Sequence, residues 1–304
     1  MRRLLITGAN GFVAGSIIKQ ALNDWDVHGI VRNEVPAEAA LVRYTQLDIL
    51  HAEALEQFIK TIKPDTVIHC AAIASIDFCE ENKSIAEQVN VGSTDTIASA
   101  CKTIGAKLVF CSTDTVFDGK KGDYTEADLP APVNIYAQTK AKAEQIVLEA
   151  SSSNIVARLA LVTGLPVIGK GNSFLPEMID KLSKNEEIRS PVNEIRTPLD
   201  VITAGKALTE LAGSELGGVI HLAGNTKIRR YDMIRQMTLT LGFPEHLIIP
   251  ANSNAIPGRA PRPDDASMNN SKAKQLLKTP MLSLEEGLAI SVYSKYEKHE
   301  QHKI

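Results

Sequence analysis

The chain has 304 residues, 44% of them apolar and 23% charged, with a formal net charge of -3. That balance fits a soluble globular protein of one large domain or two smaller ones, and it lacks the basic excess expected of a nucleic-acid partner. No stretch approaches the roughly 20 apolar residues needed to cross a bilayer, and Thr7-Gly8-Ala9-Asn10-Gly11 interrupts the apolar run after Met1-Arg2-Arg3, so no signal-peptide core is expected. Cys70, Cys79, Cys101 and Cys111 show no Cys-x-x-Cys spacing. They read as reduced, mostly buried thiols of a cytoplasmic protein, with no metal site implied.

Short apolar runs alternate with longer helical ones along the chain. A buried strand over 4–6 leads into a helix over 12–22. Strands follow over 27–31 and 45–47, then a helix over 52–62, a strand over 66–69 and a long helix over 84–103. A strand over 107–111, a helix over 134–150 and a strand over 155–159 complete the pattern. Such alternation predicts an α/β fold, a Rossmann-type doubly wound parallel sheet with helices on both faces. After residue 165 prolines and glycines break the chain into short units, while a helix over 201–211 and a strand over 219–222 return to the sheet. The expected division is a dinucleotide-binding domain over 1–165, joined by about 197–228, and a smaller C-terminal substrate-binding lobe from 166–196 and 229–304. Residues 293–304 are highly charged and are expected to fray.

Gly8-Ala9-Asn10-Gly11-Phe12-Val13-Ala14-Gly15 lies between the first strand and its helix. Glycine permits a sharp turn and close approach to a diphosphate, and a helix N-terminus offers free amides and partial positive charge. The context is that of a dinucleotide site. Cofactor choice depends on the end of the second strand, Val31-Arg32-Asn33-Glu34: an arginine suits a 2'-phosphate and a carboxylate suits a ribose hydroxyl. Arg32 favours NADP(H), and Glu34 leaves NAD(H) as the other candidate. In the helix over 134–150, Tyr136 and Lys140 are four residues apart and share a face. A cation beside the phenol would favour the phenolate and make Tyr136 a usable proton donor or acceptor.

Together the glycine loop, Asp48, Ala71-Ala72, Asn90-Val91, Ser112-Thr113-Asp114-Thr115-Val116-Phe117-Asp118-Gly119 and Tyr136-x-x-x-Lys140 resemble the extended short-chain dehydrogenase/reductase family. Within it, the octet beginning at Ser112, Ile76-Asp77-x-Cys79-Glu80, Gly171-Asn172-Ser173-Phe174, Arg262-Pro263 and Asn270-Ser271-Lys272 resemble dTDP-4-dehydrorhamnose reductases and their sugar-nucleotide-binding relatives. The resemblance implies catalytic Thr113, Tyr136 and Lys140. It implies cofactor contacts from Gly8, Asn10, Gly11, Phe12, Val13, Arg32, Asp48, Ile49, Ala71, Ala72, Ile73, Asn90, Tyr136 and Lys140. Substrate contacts would come from Ser75, Thr113, Asn172, Arg259 and Arg262, the two arginines clamping a diphosphate from a proline-rich loop.

The same residues also have plainer readings. Thr113 fits a strand-end turn cap, Asp48 a cap for the following helix, Asn90 a helix-to-strand lock and His69 a satisfied core histidine. Tyr124, Arg158 and Arg196 read as surface or packing residues. Where related dehydratases carry a glutamate after the Thr-Asp pair, this chain has Thr115, which disfavours dehydration and fits carbonyl reduction. The expectation is an NADPH-dependent reductase of a keto group on a nucleotide-linked sugar. An NAD-retaining epimerase and a non-catalytic regulatory subunit of the same fold are the alternatives, and a homodimer pairing the helices over 84–103 and 134–150 stays open.

Overall fold

The computed structural model describes residues 1–33, 35, 42–169, 171, 173–253 and 258–300, with side chains as far as 292. Seven parallel strands form the centre: β1 (Arg2–Thr7), β2 (Trp25–Val31), β3 (Arg43–Gln46), β4 (Thr66–His69), β5 (Lys107–Thr113), β6 (Ile155–Leu159) and β7 (Gly218–Leu222). Their order is β7-β6-β5-β4-β1-β2-β3. β4 and β6 are buried along their whole length, as expected of parallel strands covered on both faces. The chain runs outward from β1 to β3 and then returns to place β4 on the other side of β1. Ligand crevices of open α/β sheets form at such a reversal.

Helices α1 (Phe12–Ala21), α2 (Ala52–Ile62), α3 (Ile76–Glu81), α4 (Lys83–Glu87), α5 (Ser93–Ile104), α6 (Ile135–Ala150), α7 (Phe174–Ser183), α8 (Val201–Gly213), α9 (Arg230–Thr240), α10 (Ser271–Leu276) and α11 (Leu284–Glu300) follow in chain order. Helices α1 and α8 cover one face of the sheet, where Ile17, Ile18, Leu208 and Leu211 meet Leu4, Ile6 and Ile68. On the other face α2, α5 and α6 bring Leu55, Ile97, Ala143 and Val147 against Leu5, Val67 and Phe110. The helix expected over 84–103 is interrupted by a π-turn at Gln88–Gly92. The wider turn lets buried Asn90 take both backbone groups of Ile73 (2.8 and 3.1 Å) while donating to Thr139 on α6 (3.0 Å). Such turns often mark functional sites.

Beyond β6 a separate apolar cluster gathers Leu175, Met178, Met233, Met237, Ile248 and Leu284. Short strand pairs tie this region together, Ile188–Pro191 running beside Ile248–Ala251 and Ile195–Arg196 beside Ile228–Arg229. Ala273, Leu277 and Met281 instead join the core of the main sheet. The C-terminal segment therefore contributes to both apolar clusters.

Helices α1 and α8 cross closely, because a side chain at Gly205 would put its Cβ 2.8 Å from the Ser16 carbonyl carbon. Gly205→Val is expected to lower unfolding free energy by about 1–3 kcal/mol through overpacking. The midpoint of urea denaturation checks this, and a change in slope would signal something other than local crowding.

Candidate active site

The site begins where β1 ends. Gly8 has φ +65, and a Cβ there would come within 2.9 Å of the Ala71 backbone that follows β4. Only glycine fits both the conformation and the space. Gly11 donates to the Gly8 carbonyl (2.8 Å), closing a tight turn. At the start of α1, Gly11 is the N-cap and supplies no side-chain cap, leaving the first-turn amides facing outward for an anion.

Three cavities run from this turn along the carboxyl edge of the sheet. The first, about 270 Å³, is lined by Gly8, Asn10, Arg32, Asp48, Ile49, Ala71, Ala72 and Ile73. The second, about 420 Å³, shares Gly8, Asn10, Ala71 and Ala72 and adds Gly11, Phe12, Val13, Cys70, Cys111, Tyr136 and Lys140. The third, about 500 Å³, shares Phe12, Val13, Ser112 and Tyr136 and adds Ser75, Thr113, Asp114, Glu194 and four arginines. Most of the anticipated cofactor residues thus line one continuous groove. Asn90 lies behind it, holding Ile73 in the wall.

Helix α6 is held at both sides of Tyr136. Asn134 caps it by accepting from the Ala137 amide (2.9 Å) and donates to the Pro261 carbonyl (2.9 Å), while Glu80 accepts from the Ile135 amide (3.1 Å). Thr113 ends β5 and caps the short 3-10 turn Asp114–Val116. Its hydroxyl lies 3.0 Å from the Thr115 hydroxyl and also faces the third cavity. The plain capping role and exposure to the site coexist.

The electrostatics depart from expectation. Burial and the nearby Asp114 charge push the Tyr136 phenol up, with a Thr113 hydrogen bond opposing. Tyr136 keeps a partly exposed edge, but its phenol behaves as desolvated. Burial brings Lys140 down to about 8, with the Cys111, Glu144 and Cys70 groups opposing. The ammonium sits 3.9 Å above the Phe110 ring. Lys140 therefore does not produce the lowered phenol expected from the four-residue spacing, because desolvation outweighs any help from the cation.

The arginine clamp also differs. Arg262 pairs with both carboxylate oxygens of Asp77 (2.7 Å each) and brings that carboxyl down to about 2. Arg259 turns to buried Glu194 (2.9 Å), which Arg196 and Arg230 also approach at 3.6 and 3.4 Å. Among the described residues, Arg230 Nε, Arg259 Nη1 and Asp114 Oδ2 are buried without hydrogen-bond partners. Four arginines against three carboxylates leave the third cavity positive. Sequence reading set Arg196 aside, passed over Glu194 and Arg230, and took Cys70 and Cys111 as buried thiols without placing them at the groove, whose second cavity they line. Glu194 and Arg230 meet only through the fold, and no local spacing announces them. Asn172 lies outside the described residues.

Other sequence readings resolve simply. Asp48 accepts from the Leu50 amide (3.0 Å) and caps that turn, while His51, the N-cap of α2, supplies no side-chain cap. Ser75 caps α3 by accepting from Phe78 (3.3 Å). Tyr124 stacks on Phe117 with ring centroids 4.1 Å apart, and Arg158 pairs with Glu144 at 2.7 Å inside the core. Among the described residues no His, Cys, Asp and Glu cluster could hold a metal, and no helix is long and apolar enough to cross a membrane.

A family model described as the RmlD substrate binding domain matches residues 1–296. The chain belongs to that family. Methionine adenosyltransferase 2 subunit beta from Rattus norvegicus is 30% identical over 282 residues, covering 90% of this chain and 82% of that protein. A dTDP-4-dehydrorhamnose reductase from Mycobacterium tuberculosis strain H37Rv is 29% identical over 297 residues, 95% of this chain and 92% of that one. Among solved structures, the dTDP-4-dehydrorhamnose reductase from Bacillus anthracis in complex with NADP superposes with a TM-score of 0.83 at 26% identity, covering 97% of this chain and all of that one. A hypothetical dTDP-4-dehydrorhamnose reductase from Sulfolobus tokodaii gives 0.83 at 27% identity, with 94% and 99% coverage. The parallel sheet is that of the extended short-chain dehydrogenases/reductases.

His69 closes β4 as a core histidine, with Nδ1 2.7 Å from the Thr7 hydroxyl and Nε2 3.1 Å from Thr94. Burial and the Lys140 charge bring it down to about 3, whereas an unfolded histidine titrates near about 6.5. The unfolded chain therefore binds the extra proton first, and His69 contributes stability above about pH 6.5 that is lost as pH falls toward 3. His69→Gln, which cannot titrate, is expected to be less stable at neutral pH. Its deficit should shrink on acidification, as unfolding curves at a series of pH values will show.

Proposed function

We propose that the protein is an NADPH-dependent reductase of a keto group on a nucleotide-linked sugar, with dTDP-4-dehydro-6-deoxy-L-mannose as a test substrate. The observation that carries this reading is that Tyr136 lines both the second and the third cavity, with Lys140 beside it in the second and Thr113 beside it in the third. The glycine turn with no room for a Cβ and the open amides of α1 fit a diphosphate. Asp48 and Ile49 would hold the adenosine end, and Arg32, exposed at the end of β2, would take a 2'-phosphate. Bound there, the nicotinamide coenzyme supplies the hydride.

The residues of the chain then manage the proton. Reduction builds negative charge on the former carbonyl oxygen, and two hydroxyls converging on it lower the barrier. Thr113 donates a hydrogen bond to that oxygen. Tyr136, kept protonated by its surroundings, delivers the proton. Lys140, one turn along α6, provides positive charge for the phenolate left behind. Arg259, with Arg196 and Arg230, would bind the anionic nucleotide portion, a role that Arg262 cannot share while Asp77 holds it. In this reading the described residues of 166–196 and 229–304 form the substrate lobe, while Ala273, Leu277 and Met281 pack in the core of the sheet.

The likeness to a methionine adenosyltransferase subunit supports a second reading, in which the same groove serves a non-catalytic subunit. An assay with purified protein separates the two: NADPH oxidation dependent on the keto sugar supports the enzyme, and its absence alongside a stable partner complex supports the subunit.

For the enzyme, Tyr136→Phe is expected to cut turnover by about 100-fold or more while NADPH affinity stays within about threefold, a change near 0.7 kcal/mol. Unchanged turnover would remove Tyr136 from its role. Arg32→Ala is expected to weaken NADPH binding about tenfold or more relative to NADH, since a charge-assisted contact contributes about 1.5–3 kcal/mol. Calorimetry with both coenzymes measures the ratio, and equal losses would reassign Arg32 to the loop surface.

A further inference from the structure

Two of the four cysteines are side by side in the groove. Cys70 follows β4 and Cys111 lies on β5, and the register that pairs His69 with Phe110 carries the two cysteines abreast. Their sulfurs are 3.6 Å apart, and both thiols are free. Adjacent strands lie roughly 4.8 Å apart, within the Cα separation of about 4.4–6.8 Å that a disulfide spans. The other two thiols are placed differently. Cys79 donates to the Ile73 carbonyl (3.4 Å), and Cys101 is buried on α5.

Position distinguishes this pair from an inert core contact. Both residues line the second cavity with Tyr136 and Lys140, and Cys70 keeps partial exposure. The hydrogen bond between the two sulfurs, together with burial, pushes the Cys70 thiol well up, with the Lys140 ammonium opposing, while the same hydrogen bond holds the Cys111 thiol down against burial, with Lys140 helping. A nearby cation and a path to solvent are the usual setting of an oxidisable cysteine.

We propose that Cys70 and Cys111 form a redox-sensitive dithiol in the groove wall, which a peroxide converts to a disulfide, a thiol reductant restores, and an occupied groove shields. The chemistry balances in two steps. Cys111 sulfur attacks the peroxide O–O bond and becomes a sulfenic acid as water leaves. Cys70 sulfur then attacks the sulfenic sulfur, forming the S–S bond and releasing a second water. Two thiols are oxidised, one hydrogen peroxide is reduced, and the sulfurs close to about 2.05 Å. The reductant reverses this by thiol–disulfide exchange.

The test uses the full chain. After exposure to hydrogen peroxide and alkylation, non-reducing peptide mass spectrometry is expected to show a peptide pair joined through Cys70 and Cys111, lighter by two hydrogens and separated by dithiothreitol. Cys79 and Cys101 should be recovered as alkylated thiols. Cys70→Ser and Cys111→Ser should each abolish the pair. Mapping in the native sequence decides the matter even if a variant folds poorly: oxidation of either cysteine only to sulfinic acid, or equal crosslinking through Cys79 or Cys101, overturns the proposal. Saturation with NADP⁺ at about ten times its dissociation constant should slow crosslinking roughly tenfold. This arm rests on the cofactor reading above. NADP⁺ that binds by calorimetry without slowing the reaction overturns the shielding. NADP⁺ that does not bind overturns the cofactor reading, while the mapped crosslink still decides the dithiol.

Discussion

Burying Lys140 is the constraint on which the site depends. The residue is 3% exposed, and its ammonium sits 3.9 Å above the Phe110 ring. Glu144, one turn later on the same helix, is occupied by Arg158 and by the Ser112 hydroxyl (2.5 Å). Burial is why the ammonium is lowered to about 8, against the pull of Cys111, Glu144 and Cys70, since desolvation disfavours the charged form. The face of Phe110 returns part of that cost, a desolvated cation–π contact being worth about 2 kcal/mol. The Asn134 cap, the Glu80 bond and the Asn90–Thr139 bond fix the first turns of α6, the part of the helix that carries Lys140.

That rigidity explains why a π-turn belongs in the helix before β5. A regular helix over 84–103 would present Asn90 at a different angle, and Ile73 and Thr139 would lose their common partner. Hydrophobic periodicity cannot reveal such a turn here, because the short helix before it, Lys83–Glu87, is too brief to fix a phase against which the shift would show. The strands were legible for the opposite reason. Val67, Ile68, Val156 and Ala157 are buried on both faces, and their continuous apolar runs survive any detail of packing. The glycine turn was legible because Gly8 answers to backbone geometry that its own neighbours dictate.

The charged half of the site was poorly legible. Arg259 and Arg262 look interchangeable on one proline-rich loop, yet Asp77 from α3 takes Arg262 and Glu194 takes Arg259. The partners are 185 and 65 residues away in the chain, so only the fold decides which arginine keeps an unpaired N–H toward the cavity. Buried charges are retained when they are paired or serve a ligand. Arg230 and Arg259 both pair with Glu194, yet each keeps one buried nitrogen without a hydrogen bond, which sets this end of the groove apart from the Glu144–Arg158 pair, whose bonds are complete within the core.

Taken together, the two shifts on α6 define a direction for the proposed chemistry. Tyr136 is raised and Lys140 is lowered, so at neutral pH the phenol holds its proton and the ammonium holds its charge. This is the pairing that suits proton delivery to an oxygen gaining negative charge, and it is the reverse of what abstraction from an alcohol needs. On raising the pH, Lys140 loses its charge near 8, well before the phenol ionises. The earlier of the two ionisations therefore belongs to the lysine, and it follows from the depth at which Lys140 is buried more than from the four-residue spacing that first drew attention to the pair.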